Sequence, residues 1–246
     1  EGDLEQRLRP MMGAQLDRLL DREDALFPKL EATLRRHHDT SRGAMLQVAI
    51  GPTSVTYREP RYMRRFAEIA AAHACGLHVH FDPRPDERAT MRERGGRPLD
   101  LLRETGWLGS RTWLAHATLL DEDEMQAIAA AGASLAHCPR CIVRLGKKVA
   151  RVGHWVSHGI NVGLGVDGAA SSDMSNLLNE MRLALVLHRV GGYDDNEDAT
   201  QWLTPEDVLW MATRGGARAL GREDIGELSP GKCADIAVFP LRRLSL

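Results

Sequence analysis

A repeated alternation of short apolar segments with longer amphipathic ones limits what this chain can fold into. Five apolar runs of strand length occupy residues 44–50, 76–81, 112–116, 133–137 and 161–167. Segments of helical length and composition follow them at residues 61–75, 86–105, 121–131, 149–158 and 172–190. Strands that alternate with helices predict a parallel sheet with right-handed crossovers, and so an α/β protein.

The segments outside this series are predicted to form other elements. A helix is expected from residue 1 to about residue 38, because Leu26, Leu30 and Leu34 recur at helical spacing. A helix is also expected over residues 205–220, with Thr204 as its N-cap. Residues 225–239 alternate turn residues with short apolar runs, which predicts a hairpin.

Composition and charge exclude several classes of partner. The 246 residues are 43% hydrophobic and 27% charged, and the net charge is -2 with 32 basic and 34 acidic residues. A balanced charge gives no basic face for nucleic acid or an anionic membrane, and a small-molecule partner fits better. The sequence contains no apolar run of membrane-spanning length, and its first residues lack a signal-peptide pattern. A cytoplasmic protein is therefore expected.

Four of the predicted strands have a polar residue at or near their C-terminal end. His80, His116, His137 and Asp167 lie near the C-terminal ends of successive strands. In parallel α/β folds these ends meet at one edge, where catalytic residues lie. Two or more imidazoles with a carboxylate suit a catalytic Zn²⁺ or Fe²⁺. The alternative for each histidine is a hydrogen-bonded core residue, and we favour that for His137, which Cys138 and Pro139 follow.

His78 and the pair Cys138 and Cys141 are further candidates for a functional site, but structural roles are expected for them. His78 shares a face with His80, because side chains alternate along a strand, and it is expected one layer deeper in the core. Cys138 and Cys141 have the spacing of a zinc or redox motif. They lack the second cysteine pair or the thioredoxin-like context that such a motif needs, and packed thiols are expected instead.

Several ordered motifs carry a resemblance to a known family. They are residues 77–80 (LHVH), 113–116 (WLAH), 136–139 (AHCP) with Arg144 and Leu145, 163–171 (GLGVDGAAS) and 228–235 (LSPGKCAD). With these the chain resembles the amidohydrolase superfamily, in its ATZ/TRZ-type aminohydrolase branch. That branch holds 8-oxoguanine deaminase, isoxanthopterin deaminase and the s-triazine hydrolases.

The resemblance implies a fold and its boundaries. Residues 1–221 would form part of a (β/α)8 TIM-like barrel of the metal-dependent hydrolase type, about strands 4 to 8. Residues 222–246 would begin the return to a small β-domain. Five units do not close an eight-stranded barrel, so the chain is expected to lack the N-terminal part.

The resemblance also implies a site with one divalent metal, zinc by preference and iron as the alternative. Its ligands would be an H-x-H pair on the first strand, His80 on the fifth and Asp167 on the eighth. His116 on the sixth strand would orient the metal-bound water. The metal would lower the pKa of that water, and the hydroxide would attack the ring carbon that bears an amino group. Asp167 would accept the proton before ammonia leaves.

Three departures from the family pattern leave alternatives open. No H-x-H pair precedes the first predicted strand, and Cys141 and Ile142 replace a Ser-Asn pair. Pro83 stands three residues after the fifth-strand histidine, where many relatives have a glutamate that protonates the ring nitrogen. Asp82 and Glu87 are candidates for the role of that glutamate. The alternatives to a deaminase are a hydrolase that removes an alkylamine or chloride from a triazine-like ring, and a catalytically silent barrel. The 246 residues by themselves are expected to be inactive, and the sequence allows a homo-oligomer.

Overall fold

One parallel sheet forms the centre of the protein. The computed structural model describes residues 9–19, 23–55, 59–82, 85–93, 95–189, 200 and 202–239. Five strands pair in parallel, in the same order as they follow along the chain. They are β1 Ala49–Ile50, β2 Gly76–Phe81, β3 Thr112–His116, β4 Ser134–His137 and β5 Asn161–Leu164. The predicted α/β architecture with a parallel sheet is confirmed.

Helices connect the strands. They are α1 Ala14–Leu19, α2 Glu23–His37, α3 Pro60–Ala72, α4 Pro85–Glu93, α5 Pro98–Glu104, α6 Glu122–Ala131, α7 Pro139–Arg144, α8 Val152–Ser157, α9 Ala169–Ser172, α10 Leu177–Leu187, α11 Pro205–Trp210 and α12 Gly216–Ala219. A π-helical turn, Met211–Gly215, joins the last two. Local sequence explains the bounds of α6: Asp121 and Glu124 form a capping box, and Gly132 ends the helix at φ 70°.

Two helices predicted as continuous are interrupted. The single helix predicted over residues 86–105 is wrong, because α4 ends at Glu93 and α5 begins at Pro98. Gly95 between them has φ 89°, a left-handed conformation that ends a helix. The predicted helix over residues 172–190 begins later, at Leu177, because Asp173 also turns left-handed with φ 57°.

The first strand is shorter than predicted. Of residues 44–50, only Ala49 and Ile50 pair in the sheet. The backbone before them bonds to other partners: the Ala44 carbonyl accepts from Arg222 at 3.0 Å, and the Val48 N–H donates to His38 Nδ1 at 2.9 Å. Helix α2 ends at His37 as predicted, but the single helix predicted from residue 1 is interrupted at Gly13, which has φ 51°. Residues 1–8 and 20–22 of that predicted helix lie outside the described residues.

The hairpin predicted over residues 225–239 is wrong. No strand occurs in this stretch, all of which the structure describes. The Lys232 N–H bonds Ser229 O at 3.1 Å around the left-handed Gly231, and the Cys233 N–H bonds Asp224 O at 2.7 Å. The turn residues therefore form a turn, but the apolar residues beyond it have no partner strand among those described.

The sheet has one face in the core and one that carries the polar residues. Along β2, Leu77, Val79 and Phe81 are buried, whereas His78 is half-buried and His80 exposed. Trp107 and Trp155 are among the largest fully buried side chains. His78 and His80 therefore lie on the face opposite to the core, because successive side chains of a strand point to opposite faces. In the described part of the chain, no helix is long and apolar enough to span a membrane.

Close packing between β5 and the π-helical turn fixes the far edge of the sheet. Asn161 Nδ2 donates to Ser134 Oγ and to Gly215 O, both at 3.0 Å. A Cβ on Gly215 would lie 2.2 Å from Val162 O, so glycine is required at this contact. The strand whose loop carries Asp167 is thereby held against the last helices.

Candidate metal centre

His80 is placed by the regular geometry of β2. It lies one residue before the end of the strand, in register with Ala115 of β3. The backbone of Ser54, from the loop after β1, forms an isolated bridge with it on the other side. His80 is thus fixed between two neighbouring segments while its side chain stays exposed.

His116 reaches the same region because its backbone leaves the strand geometry. It is in register with Phe81, so regular alternation would put it on the face opposite to His80. Instead His116 and Ala117 have φ 71° and 51°. Each left-handed non-glycine residue costs on the order of 1–3 kcal/mol and persists only when its surroundings impose it. The turn brings the ring of His116 to 5.2 Å from that of His80, centroid to centroid.

Asp167 lies three residues beyond the observed end of β5. Its φ of 56° is also left-handed. The Ser171 hydroxyl, in the first turn of α9, donates to Asp167 Oδ2 at 2.7 Å. The Arg144 guanidinium of α7 donates in turn to Ala170 O at 3.2 Å and so holds α9 in place.

The three side chains form one cluster. Potential ligand atoms of His80, His116 and Asp167, one from each, all lie within 4.8 Å of one another. Nδ1 of His116 is buried and has no hydrogen-bond partner among the described residues. A buried polar atom without a partner is costly unless a further group binds it. Two imidazoles and one carboxylate are ligands that suit Zn²⁺ or Fe²⁺, so the residues fit a divalent ion.

The electrostatics of the cluster set its protonation near neutral pH. Burial, helped by the positive charge of Lys147, lowers the pKa of His116 to about 4, so its imidazole is neutral. Burial by itself would raise the pKa of Asp167. Hydrogen bonds from the Cys141 thiol, the Ser171 hydroxyl and the Gly168 backbone outweigh that effect and lower the pKa to about 2.

His78 and His137 do not belong to the cluster. Nδ1 of His78 donates to the Trp113 carbonyl at 3.1 Å, and the two rings stack with centroids 5.3 Å apart. His137 is buried edge-on to Trp155, and burial lowers its pKa to about 3, so it stays neutral. His137 is buried as predicted, although its Nδ1 has no hydrogen-bond partner among the described residues. His78 makes the predicted hydrogen bond but is half-buried, on the face opposite to the core.

The two cysteines behave as packed thiols. Cys138 and Cys141 are free and buried. Burial raises the pKa of Cys138 to about 12 and that of Cys141 to about 11, so neither is a thiolate at neutral pH. Cys141 contributes to the site through its hydrogen bond to Asp167.

Asp82, a candidate for the role of the missing glutamate, is held as an anion. Its Oδ2 lies 2.8 Å from Lys147 Nζ, and its Oδ1 accepts from the Thr118 hydroxyl and, at 3.3 Å, from the Thr118 N–H. Burial would raise its pKa, but Lys147 and Thr118 lower it. An ionised carboxylate with these partners is a poor proton donor. Pro83 lies outside the described residues.

Sequence reasoning missed the residues that surround the cluster. Ser171 follows the aspartate at the start of a helix, where a hydroxyl commonly bonds a nearby acceptor, and that signal was usable. Lys147 and Thr118 gave no comparable signal, because their contacts join loops that are distant in sequence.

Comparison with known proteins identifies relatives of the whole chain. The sequence profile described as amidohydrolase family matches residues 8–245. The chain is 40% identical over 222 residues to an 8-oxoguanine deaminase of Pseudomonas aeruginosa, covering 90% of this chain and 48% of that protein. It is 32% identical to an isoxanthopterin deaminase of an unknown prokaryotic organism, covering 98% and 50%. The chain thus spans about half the length of the curated relatives it matches.

Solved structures share the fold. An atrazine chlorohydrolase mutant of Arthrobacter aurescens TC1, complexed with zinc and atraton, superposes with a TM-score of 0.80 at 34% identity, covering 86% of this chain and 46% of that one. An adenosine deaminase of Xanthomonas campestris with bound zinc gives 0.75 at 30% identity, covering 83% and 46%. Both neighbours contain zinc, and both are matched over less than half of their own length.

Proposed function

The chain belongs to the amidohydrolase family, and from that premise we propose that its protein is a metal-dependent hydrolase that removes an amino group from a heteroaromatic ring as ammonia. One observation carries the proposal. Ligand atoms of His80, His116 and Asp167 lie within 4.8 Å of one another at the C-terminal ends of three parallel strands. In parallel α/β proteins such a meeting point is where ligands bind.

In this proposal the metal is a single divalent ion, and we favour zinc. The neighbouring structures of an atrazine chlorohydrolase and an adenosine deaminase both contain it. His80 and Asp167 are the proposed ligands, together with the first-strand H-x-H pair that the family resemblance implies, which does not occur ahead of β1 in this sequence. When bound, the ion lowers the pKa of a water molecule and makes it a nucleophile near neutral pH.

The protein side chains hold and move the protons. With a pKa of about 2, Asp167 is ionised and accepts a proton from the attacking water. His116, neutral with a pKa of about 4, hydrogen-bonds the water and orients it. The water oxygen adds to the ring carbon as its C=N double bond opens, and Asp167 passes the first proton to that ring nitrogen. The second proton of the water goes to the amino group as its bond to carbon breaks, so the products are ammonia and an oxo-substituted ring.

The substrate class follows from the relatives rather than from the cluster. They are named for 8-oxoguanine, isoxanthopterin and hydroxydechloroatrazine, so we propose an aminated purine-like, pterin-like or triazine-like ring. Removal of an alkylamine or chloride is the second candidate, because relatives named an ethylaminohydrolase and a chlorohydrolase match the chain. A cytoplasmic location and a homo-oligomer stay predictions from the sequence.

The test is a screen of the full-length protein against aminated purines, pterins and triazines, with the released group identified. We expect ammonia from at least one ring class, and losses on the order of 10³-fold for His80→Ala and Asp167→Asn. His37→Ala and Asp123→Asn are matched controls, because both residues are exposed and neither belongs to the cluster. Undiminished turnover in the site variants would rule out the proposal, and release of an alkylamine or chloride instead would favour the second candidate.

A further inference from the structure

Neighbouring residues have to hold the left-handed backbone conformation of His116. Its left-handed φ, and that of Ala117, interrupt the alternation that would turn the imidazole away from His80. The Ala117 N–H still bonds Phe81 O of β2 at 2.9 Å. The next residue, Thr118, gives both its N–H and its hydroxyl to Asp82 Oδ1. Asp82, the residue that follows β2, thus stabilises the turn that directs the ring of His116 toward His80.

Lys147 binds Asp82 from a third segment of the chain, the one that follows α7. Its Nζ pairs with the second oxygen of Asp82 at 2.8 Å. The side chains of Asp82 and Lys147 are 9% and 28% exposed, so solvent screens this pair less than a surface pair. One carboxylate therefore joins the segments that follow β2, β3 and α7. We call Asp82, Thr118 and Lys147 the strand-end clip.

The backbone of Lys147 is itself fixed. Gly146, with φ 62°, ends α7 in a left-handed conformation. The Gly146 N–H bonds Val143 O at 3.1 Å, and the Lys147 N–H bonds Ile142 O at 2.9 Å, which is the pattern of a Schellman motif. Because this motif fixes the backbone of Lys147, the ammonium group of its side chain extends toward Asp82 from a fixed Cα position.

We propose that Lys147 and Asp82 are positioning residues of the site: through Thr118 they hold the left-handed turn that keeps the His116 imidazole beside His80 and Asp167. The inference rests on the proposed function for its kinetic consequence. Its structural content, the orientation of one imidazole ring, is measurable whether or not the protein turns over any substrate.

The variants are chosen to separate positioning from general stabilisation. Lys147→Met keeps the length of the side chain and removes the charge, whereas Lys147→Arg keeps the charge and a donor to Asp82. Lys148→Met removes the same charge from the adjacent, exposed residue and is the matched control. Asp82→Asn and the double variant Lys147→Met/Asp82→Asn test whether the two residues act as one unit.

The kinetic readout uses the full-length, metal-loaded protein and its best substrate. We expect Lys147→Met to lower kcat about 10- to 100-fold while metal content stays unchanged, and Lys147→Arg to recover to within about 5-fold of wild type. Lys148→Met should match wild type. The double variant should be no slower than the slower single variant, because either single substitution already breaks the contact between Asp82 and Lys147. A kcat for Lys147→Met within 2-fold of wild type, no recovery with arginine, or additive losses would overturn the inference.

The second readout is independent of catalysis. In metal-free protein labelled with ¹⁵N-histidine, the ring signals of His116 should shift or broaden in Lys147→Met and return with Lys147→Arg, while those of His37 stay unchanged. Unaltered His116 signals in Lys147→Met would overturn the inference. If wild type releases nothing from any substrate while His116 still responds, the proposed function fails and the strand-end clip stands.

Discussion

At the scale of single residues, the site depends on backbones that leave strand geometry. His116 and Asp167 both have a left-handed φ, and both are held by neighbours outside their own strand. Ser171 bonds the carboxylate of Asp167, and Thr118 bonds Asp82 just after His116. Strain of this kind concentrates at functional sites, where the surroundings impose one conformation on the reacting groups.

The hydroxyl of Ser171 makes a testable contribution to the charge of Asp167. Ser171→Ala removes one donor, so the pKa of Asp167 in metal-free protein should rise from about 2 toward the ordinary 3.8. Because the folded-state pKa lies below the unfolded value, this bond stabilises the fold above about pH 3.8. That contribution disappears as the pH falls toward 2.

A carboxyl-carbon NMR titration of ¹³C-aspartate protein measures this shift. Ser110→Ala is the control, because Ser110 is exposed and precedes the opposite, N-terminal end of β3. A carboxyl signal that titrates at about 2 in Ser171→Ala as well as in wild type would show that the hydroxyl does not hold the charge.

At the scale of elements, the position of β5 depends on its contact with the π-helical turn. Gly163 and Gly216 pack so closely that a Cβ on Gly163 would lie 3.2 Å from the Gly216 Cα. Gly215 lies closer still to the strand, against Val162 O. Because Asp167 follows β5 by three residues, this contact also sets where the carboxylate stands.

Gly215→Ala should therefore lower the free energy of unfolding by about 2–4 kcal/mol, since the added methyl group clashes with the backbone. Gly96→Ala is the matched control: a Cβ there meets nothing within 4 Å, and the φ of Gly96 is not in the left-handed range. Its effect should stay within about 0.5 kcal/mol. Equal denaturant midpoints for the two variants would contradict the close contact.

Elements with a strong local pattern could be predicted, and those that depend on distant partners could not. The apolar runs that contain His80 and His116 are strands, because burial on one face makes buried and exposed side chains alternate. The break at Gly95 had a signal, the Gly95-Gly96 pair, which the prediction of one helix ignored. The strand predicted to begin at Ala44 fails for another reason: the Ala44 carbonyl bonds Arg222, which lies far away in sequence. The hairpin over residues 225–239 fails because Cys233 bonds back to Asp224 and no described strand pairs with the apolar residues beyond the turn.

The site could be predicted in the same partial way. The position at strand ends identified His80, His116 and Asp167, and the family motifs added their roles. The direction of the His116 ring could not be predicted, because the pleat by itself would place it on the other face of the sheet. The contact of Lys147 with Asp82 needs the helix end at Gly146 and three neighbouring strands in register.

At the scale of the whole molecule, the parallel sheet brings together groups from distant parts of the chain. The C-terminal ends of β2 and β3 carry His80 and His116, the segment after β5 carries Asp167 to the same edge, and the segment after α7 adds Lys147. The chain spans about half of its curated relatives, for example 48% of the 8-oxoguanine deaminase. The division into a partial barrel over residues 1–221 and a second domain from residue 222 stays a prediction.

The central claim is that His80, His116 and Asp167 belong to one metal centre. Metal content of the full-length protein, measured by mass spectrometry after purification, tests it most directly. We expect about one zinc or iron ion per chain in wild type and in Asp123→Asn, and a loss of most of it in His80→Ala and Asp167→Ala. Wild-type protein without stoichiometric metal, or site variants that retain it in full, would contradict the claim.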